Sequence, residues 1–254
     1  MIKVGIIGGT GLEDPAILKE QSEIEISTPY GAPSSNLILG KINNIEVVIL
    51  SRHGKQHEIS PTLVNNKANI YALKELGVTH IIATTACGSL REEIERGDLI
   101  ILDQFIEFTR FREHSSFNVN FTDGIKHCAM PAPFDENLRS VLCTTAQEMN
   151  LKFHEKGTVI TIEGPRFSTK AESKMYRILG ADVVNMSIAP ECILANEIKI
   201  PYAAIAISTD YDSFRDDVEP VSWDTILTVF KENVEKVKDL IINTISKVQE
   251  QEKV

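Results

Sequence analysis

The feature that most constrains this chain is a set of short β-branched runs, "IKVGIIG", "IEVVILS", "HIIATTA", "DLIILD", "GTVITIEG", "ADVVNM" and "YAAIAIST", spaced along its 254 residues. Several are apolar at nearly every position, as strands covered on both faces require. The segments between them carry helical periodicity instead. "PTLVNNKANIYALKELG" offers Leu63, Ile70, Leu73 and Leu76 to one face and stops at Gly77, and "DENLRSVLCTTAQEMN", "TKAESKMYRILG" and "APECILANEI" follow the same scheme. A last helix, over about residues 222–250, opens on Ser222 with Asp224 behind it. Its apolar residues Ile226, Leu227, Phe230, Val234, Val237, Ile241 and Ile245 mostly recur every three or four positions. Strands alternating with helices predict an α/β layered fold around a mainly parallel or mixed sheet with flanking helices. No repeat, linker or low-complexity tract divides the sequence, so a single domain over 1–254 is expected.

No apolar run approaches the roughly 20 residues that span a bilayer. With 36 acidic against 26 basic residues, a formal charge of -10, the global field repels polyanions. Nucleic acid and anionic membrane surfaces are therefore poor partners, whereas one local site for a small anion stays open. Cys87, Cys128, Cys143 and Cys192 show no CxxC spacing, and nothing before "KVGIIGGTG" resembles an export signal. The expectation is a reduced, cytoplasmic protein with free thiols.

In open α/β sheets ligands collect beyond the carboxyl ends of strands, and here those exits are polar or glycine-rich. The first, Gly8-Gly9-Thr10-Gly11, does not meet the G-x-G-x-x-G frame of a dinucleotide fold. It is either a tight turn or a set of backbone N–H groups, with the Thr10 hydroxyl, suited to an oxyanion. Arg52, after "IEVVILS", can grip phosphate through two parallel hydrogen bonds, with His53 beside it to donate another or to orient the anion. Thr84, Thr85 and Ala86 leave a neighbouring run at the same sheet edge, and together these groups describe a pocket for one free phosphate. The last exit, "STDYDSF", places Asp210 and Asp212 on one side of an extended stretch. They are either a solvated turn or the recognition pair for an amino-purine, one carboxylate accepting from the exocyclic amine and one protonated carboxyl donating to a ring nitrogen. A nicotinamide-dependent oxidoreductase and a non-catalytic nucleoside-binding module are the competing classes.

Taken in order, "GIIGGTGL", "SRHGKQH", "TTACGSLRE", "GDLIILDQFIEFT", "TIEGPRFST", "GADVVNMS" with "PE" following, and "STDYDSF" resemble the trimeric nucleoside phosphorylases over nearly the whole chain. The resemblance is strongest to the branch that acts on 5′-methylthioadenosine. It implies a three-layer α/β/α fold and phosphorolysis, in which orthophosphate attacks C1′ and the purine leaves. By position, Thr10, Arg52, His53, Thr85, Ala86 and Ser187 would hold phosphate. Met186 would pack on the ribose, while Ser168, Asp210 and Asp212 would meet the base, with Asp210 the catalytic group. Trp223, Ile226 and Leu227 would line the 5′ pocket, joined by His127 of a neighbouring subunit. Lys55 and His57 receive no role, and Cys87 and Cys192 read as small buried residues. The resemblance implies no cofactor and no metal, orthophosphate being a co-substrate, and a homotrimer, with pairing into hexamers left open. Both acids of "TDYD" favour adenine; a phosphorylase of broader or 6-oxopurine specificity is the alternative.

Overall fold

The computed structural model describes residues 2–8, 15–113, 127–219 and 221–251. In chain order its elements are β1 (Lys3–Gly8), β2 (Lys19–Ile24), β3 (Leu37–Ile42), β4 (Ile45–Ser51), α1 (Asn66–Glu75), β5 (His80–Ser89), β6 (Leu99–Ile101) and β7 (Gln104–Phe108). Then come α2 (Glu136–Glu148), β8 (Phe153–His154), β9 (Thr158–Ile162), α3 (Lys170–Ile178), β10 (Val183–Asn185), α4 (Ile188–Glu197), β11 (Tyr202–Asp210) and α5 (Trp223–Gln251). Among the described residues the strands form one mixed 11-stranded sheet.

Its centre is parallel: β1 lies between β4 and β5, and β11 runs along the other side of β5 from Ile81 to Gly88. Alternate residues of each central strand serve opposite faces, as a period of two requires. Val4, Ile6, Val47, Ile49, Ala203, Ile205 and Ile207 pack with Leu138, Val141, Phe230, Val237 and Ile241 of α2 and α5. Ile7, Val48, Leu50, Ala204 and Ala206 pack with Ile70 and Leu73 of α1 and with Ile188 and Cys192 of α4. Helices thus cover both faces, and each fully buried Leu, Ile or Phe contributes about 1.5–3 kcal/mol. A smaller cluster seats Tyr176 of α3 on Ile160 and Val184.

Two local expectations change. The helix anticipated from Pro61 begins only at Asn66, where the Asn65 side chain accepts from the Ala68 N–H, and Leu63 lies in a preceding 3-10 turn with 75% of its surface exposed. The strands β2 and β3, unanticipated from the apolar runs, extend the sheet beyond β4, with β2 exposed along its whole length as an outer strand.

One irregularity of the sheet creates room for a ligand. Along one side of β5, β1 pairs only as far as Ala83 and β10 pairs only at Gly88 and Ser89. From Thr84 to Cys87 neither strand pairs with β5 on that side, and the sheet parts into a cleft.

Candidate active site

Residues from both banks of this gap line one cavity, among them Arg52, His53, Thr85, Ala86, Gly88, Ser168, Met186, Ser187, Asp210, Asp212, Trp223 and Ile226. Arg52 follows β4, where its N–H still bonds Gly8 O at 3.0 Å, and only 1% of its surface is exposed. Its guanidinium donates to Thr84 O at 2.8 Å, a carbonyl in the unpaired stretch of β5. It also forks onto Glu191 of α4, Nε to Oε1 at 2.5 Å and Nη2 to Oε2 at 3.0 Å. Glu191 is fully buried and accepts a further bond from the Tyr202 hydroxyl at 2.8 Å. A buried ion is tolerated only when paired and hydrogen-bonded, so this carboxylate is what allows a cation to stand at the cavity wall.

Two hydroxyls complete this end. Thr85 Oγ1 and Ser187 Oγ lie 3.1 Å apart. Asn185 Nδ2 approaches Thr85 Oγ1 at 3.3 Å, and Asn185 is itself oriented by the Thr161 hydroxyl, which donates to its Oδ1 at 2.8 Å. Ser187 is the N-cap of the ten-residue α4, yet its side chain makes no capping bond. A hydroxyl left out of capping at the positive end of a helix is well placed for an anion.

His53 is revised in one respect. Burial first, and then the neighbouring Arg52 charge, lower its pKa to about 4, so the ring is neutral at pH 7. Its Nδ1 faces Ile59 O at 2.9 Å and must carry the ring proton. The other nitrogen is therefore an acceptor, able to meet a protonated phosphate oxygen rather than donate to the anion.

At the opposite end β11 bulges between Ser208 and Asp210, which re-aims Asp210 toward the bare backbone of Gly88. A Cβ at Gly88 would stand 2.9 Å from Asp210 Oδ2 and 3.2 Å from the Asp212 Cβ, so only glycine leaves both acids their places. Burial raises Asp210 to about 7 against a 2.8 Å bond from the Thr209 hydroxyl. Burial also raises Asp212. The Ser168 and Ser173 hydroxyls lie near enough to favour its charged form, but neither is aligned in a hydrogen bond, and Asp212 Oδ2 ends buried without a partner. One carboxyl poised to keep a proton and one buried, unsatisfied acceptor form a matched pair for a donor–acceptor edge. The loop bearing Ser168 is fastened to α3 by a capping box of Thr169 with Glu172 and by Arg166, which forks onto Glu172 at 2.7 and 2.6 Å.

The third wall is aromatic. His57 lies between His53, with ring centroids 4.6 Å apart, and Trp223, at 5.1 Å. Ile226 lines the cavity from α5, whereas Leu227, one residue on and so rotated by about 100°, is half-buried and does not line it. His127 is exposed and does not line the cavity of its own chain. Thr10 lies outside the described residues. Lys55 pairs at the surface with Glu23 at 2.7 Å. Cys87 lines the cavity, but burial pushes its thiol well up, as it does that of Cys192, and both behave as small apolar residues. His57, expected as a surface or loop contact, lines the cavity instead, while Glu191, Asn185, Thr161 and Gly88 received no role from the sequence. Each lies in a quoted stretch, Gly88 in "TTACGSLRE", Thr161 in "TIEGPRFST", Asn185 in "GADVVNMS" and Glu191 in the "PE" that follows, but nothing local marked its role.

A buried cation with hydroxyls at one end of a cleft and a carboxyl pair at the other define an enzyme that brings a free anion to a base-bearing substrate. The chain belongs to the phosphorylase superfamily, whose profile matches residues 3–246. It is 51% identical over 250 residues to an S-methyl-5′-thioadenosine phosphorylase of Xenopus tropicalis, covering 97% of this chain and 89% of that one. To that of Danio rerio it is 49% identical over 249 residues, with the same shares covered. A methylthioadenosine phosphorylase of Schistosoma mansoni, solved in complex with adenine, superposes with a TM-score of 0.91 at 38% identity, over 98% of this chain and 92% of that chain.

Proposed function

We propose that this protein uses orthophosphate to cleave the N-glycosidic bond of 5′-methylthioadenosine, releasing adenine and 5-methylthioribose 1-phosphate. The observation that carries the reading is the single cavity with Arg52, Thr85 and Ser187 at one end and Asp210 with Asp212 at the other. The name borne by relatives about half identical over nearly the whole chain supports it.

In this reading Arg52, Thr85, Ala86, Ser187 and Thr10 hold phosphate against the α face of C1′, with His53 accepting from its protonated oxygen. As the glycosidic bond breaks, positive charge develops on the sugar and the phosphate beneath stabilises it. Asp210, half protonated near neutrality, passes its proton to the leaving purine, and Asp212 accepts from the exocyclic amine. A 6-oxo purine would turn a carbonyl toward that carboxylate, an unmatched contact that disfavours it. Ser168 completes the base end, Met186 walls the ribose, and Trp223 with Ile226 meets the methylthio group. The anion is itself the nucleophile, so the scheme uses no resident cofactor or metal. The reading further includes a cytoplasmic homotrimer in which His127 reaches a neighbour's 5′ pocket.

The deciding measurement is adenine release from methylthioadenosine with and without orthophosphate, beside inosine. Release should require phosphate and exceed hypoxanthine release from inosine by orders of magnitude. Equal rates in phosphate-free buffer, or a preference for inosine, would overturn it.

A further inference from the structure

Arg112 lies in irregular chain beyond β7, between exposed Phe111 and exposed Glu113, yet its side chain is only 2% exposed. Its guanidinium is spent on backbone. Nη2 donates to Ile162 O at 3.1 Å and Glu163 O at 2.5 Å, and Nη1 donates to Met186 O. Nε donates to Glu163 Oε1 at 3.1 Å, and the other oxygen of that carboxylate accepts the N–H groups of Arg110 at 2.7 Å and Phe111 at 3.0 Å. Burial pushes the Glu163 carboxyl up, but the two amides and the guanidinium outweigh it and hold it at about 2, so the pair stays ionised at any working pH.

What this grip controls is the turn into the anion end. β9 and β10 run parallel, with Thr161 opposite Asn185, and Arg112 ties their exits together just where the ladder stops. Carbonyl and N–H of one peptide point in opposite directions. Fixing Met186 O on Arg112 therefore turns the Ser187 N–H the other way, to the side of Asn185 Oδ1 at 3.4 Å. The Met186 side chain is held as well: its sulfur packs on the bare backbone of Gly164, which adopts φ +69, where a Cβ would collide with it. Both ends of the residue preceding Ser187 are thereby set from outside the cavity.

We propose that Arg112, aimed by Glu163, is a positioning residue for the phosphate end of the reaction, fixing the Met186–Ser187 peptide so that the Ser187 N–H stays on Asn185 and its hydroxyl stays beside that of Thr85, at the anion. This rests on phosphate lying beside Thr85 and Ser187. Lysine at 112 keeps the charge but cannot reach three carbonyls at once, so Arg112→Lys should raise the phosphate KM by about tenfold or more while adenine affinity at Asp210 and Asp212 changes by less than about twofold. A merely structural loss would lower the fraction of active sites, and with it kcat, without moving the phosphate KM. Glu163→Gln should act in the same direction and more weakly.

The test is steady-state kinetics with phosphate and methylthioadenosine varied, and adenine binding by calorimetry, on variants whose near-ultraviolet circular dichroism matches the parent. A phosphate KM within about twofold of the parent in folded Arg112→Lys overturns the proposal. If that variant does not fold, Glu163→Gln carries the test, and if neither folds the pair is a folding determinant and the inference is lost. Ser187→Ala separates the two levels. An unchanged phosphate KM there removes the phosphate placement itself, whereas a raised one with a silent Arg112→Lys removes only the positioning role.

Discussion

Glu191→Gln tests the electrostatic design of the anion end. The substitution keeps the shape but replaces one acceptor oxygen with an NH2 group, which faces an Arg52 N–H whichever oxygen it replaces and, at the Oε2 position, the Tyr202 hydroxyl as well. Removing one partner of a buried pair costs about 3–5 kcal/mol, because the remaining charge stays desolvated. Against a total stability of about 5–15 kcal/mol that is a large share. At about 2–4 °C per kcal/mol for a chain of this size, Tm should fall by roughly 10 °C. Orthophosphate then becomes the anion that answers Arg52. A ligand at a hundred times its Kd stabilises by about 2.7 kcal/mol, so phosphate should raise the variant's Tm, and by more than it raises the parent's. Thermal unfolding at matched ionic strength, with phosphate against chloride, reads both effects. A variant Tm within about 2 °C of the parent, or a phosphate shift no larger than the parent's, would refute the reasoning.

Asp210 gives a second test through pH: with its proton held to about 7, kcat/KM should fall above that pH, and Asp210→Asn should lose most activity together with that limb. The same carboxyl sheds its proton near the ordinary aspartate value of 3.8 when unfolded, so the native state binds the extra proton between there and about 7 and loses stability as pH rises through that window. Asp210→Asn should accordingly gain in Tm on the parent at pH 8 relative to pH 4, and an unchanged difference would contradict the raised pKa. Gly88→Ala drives a Cβ to 2.9 Å from Asp210 Oδ2 and should cost about 1–3 kcal/mol of stability, together with a fall in kcat that exceeds the loss of folded protein. Trp223→Val opens the wall formed by the His57–Trp223 contact, so the KM for a 5′-butylthio analogue should drop relative to that for methylthioadenosine; no relative change would show that the indole does not limit the 5′ end.

How much of this was legible in the chain divides along physical lines. Central strands announce themselves because both faces are buried and every position must be apolar. Lys19–Ile24 has no such pattern because none of its residues is buried. Its neighbour Leu37–Ile42 carried a usable signal in the Asn43-Asn44 pair, whose φ values of 48° and 67° suit a two-residue hairpin into β4. Strand exits likewise pointed to Arg52, Ser187, Asp210 and Asp212, but Thr84, Thr85 and Ala86, expected at an exit, lie within β5, and Ser187 meets Thr85 because β10 runs back antiparallel to β5. The residues that make those groups usable were not legible. Glu191 stands 139 positions from the arginine it neutralises, and Asn185 stands 100 from the threonine it orients.

The same division explains why the anion end needs a layer the exits cannot supply. An arginine carried by a surface turn could be balanced by water, but Arg52 is buried and reaches past the end of β1 to Thr84 O in the gap beside β5, where the fold itself must supply a counter-charge. Glu191 does so from the first turn of the helix whose N-cap is Ser187. The carboxylate that permits the cation and the hydroxyl that shares its work are thus fixed by one rigid helix. Arg112 sets the peptide on which that helix begins, from a segment outside the central strands. A change that leaves every cavity-lining residue in place but loosens the start of α4 should therefore weaken phosphate handling before it affects recognition of the base.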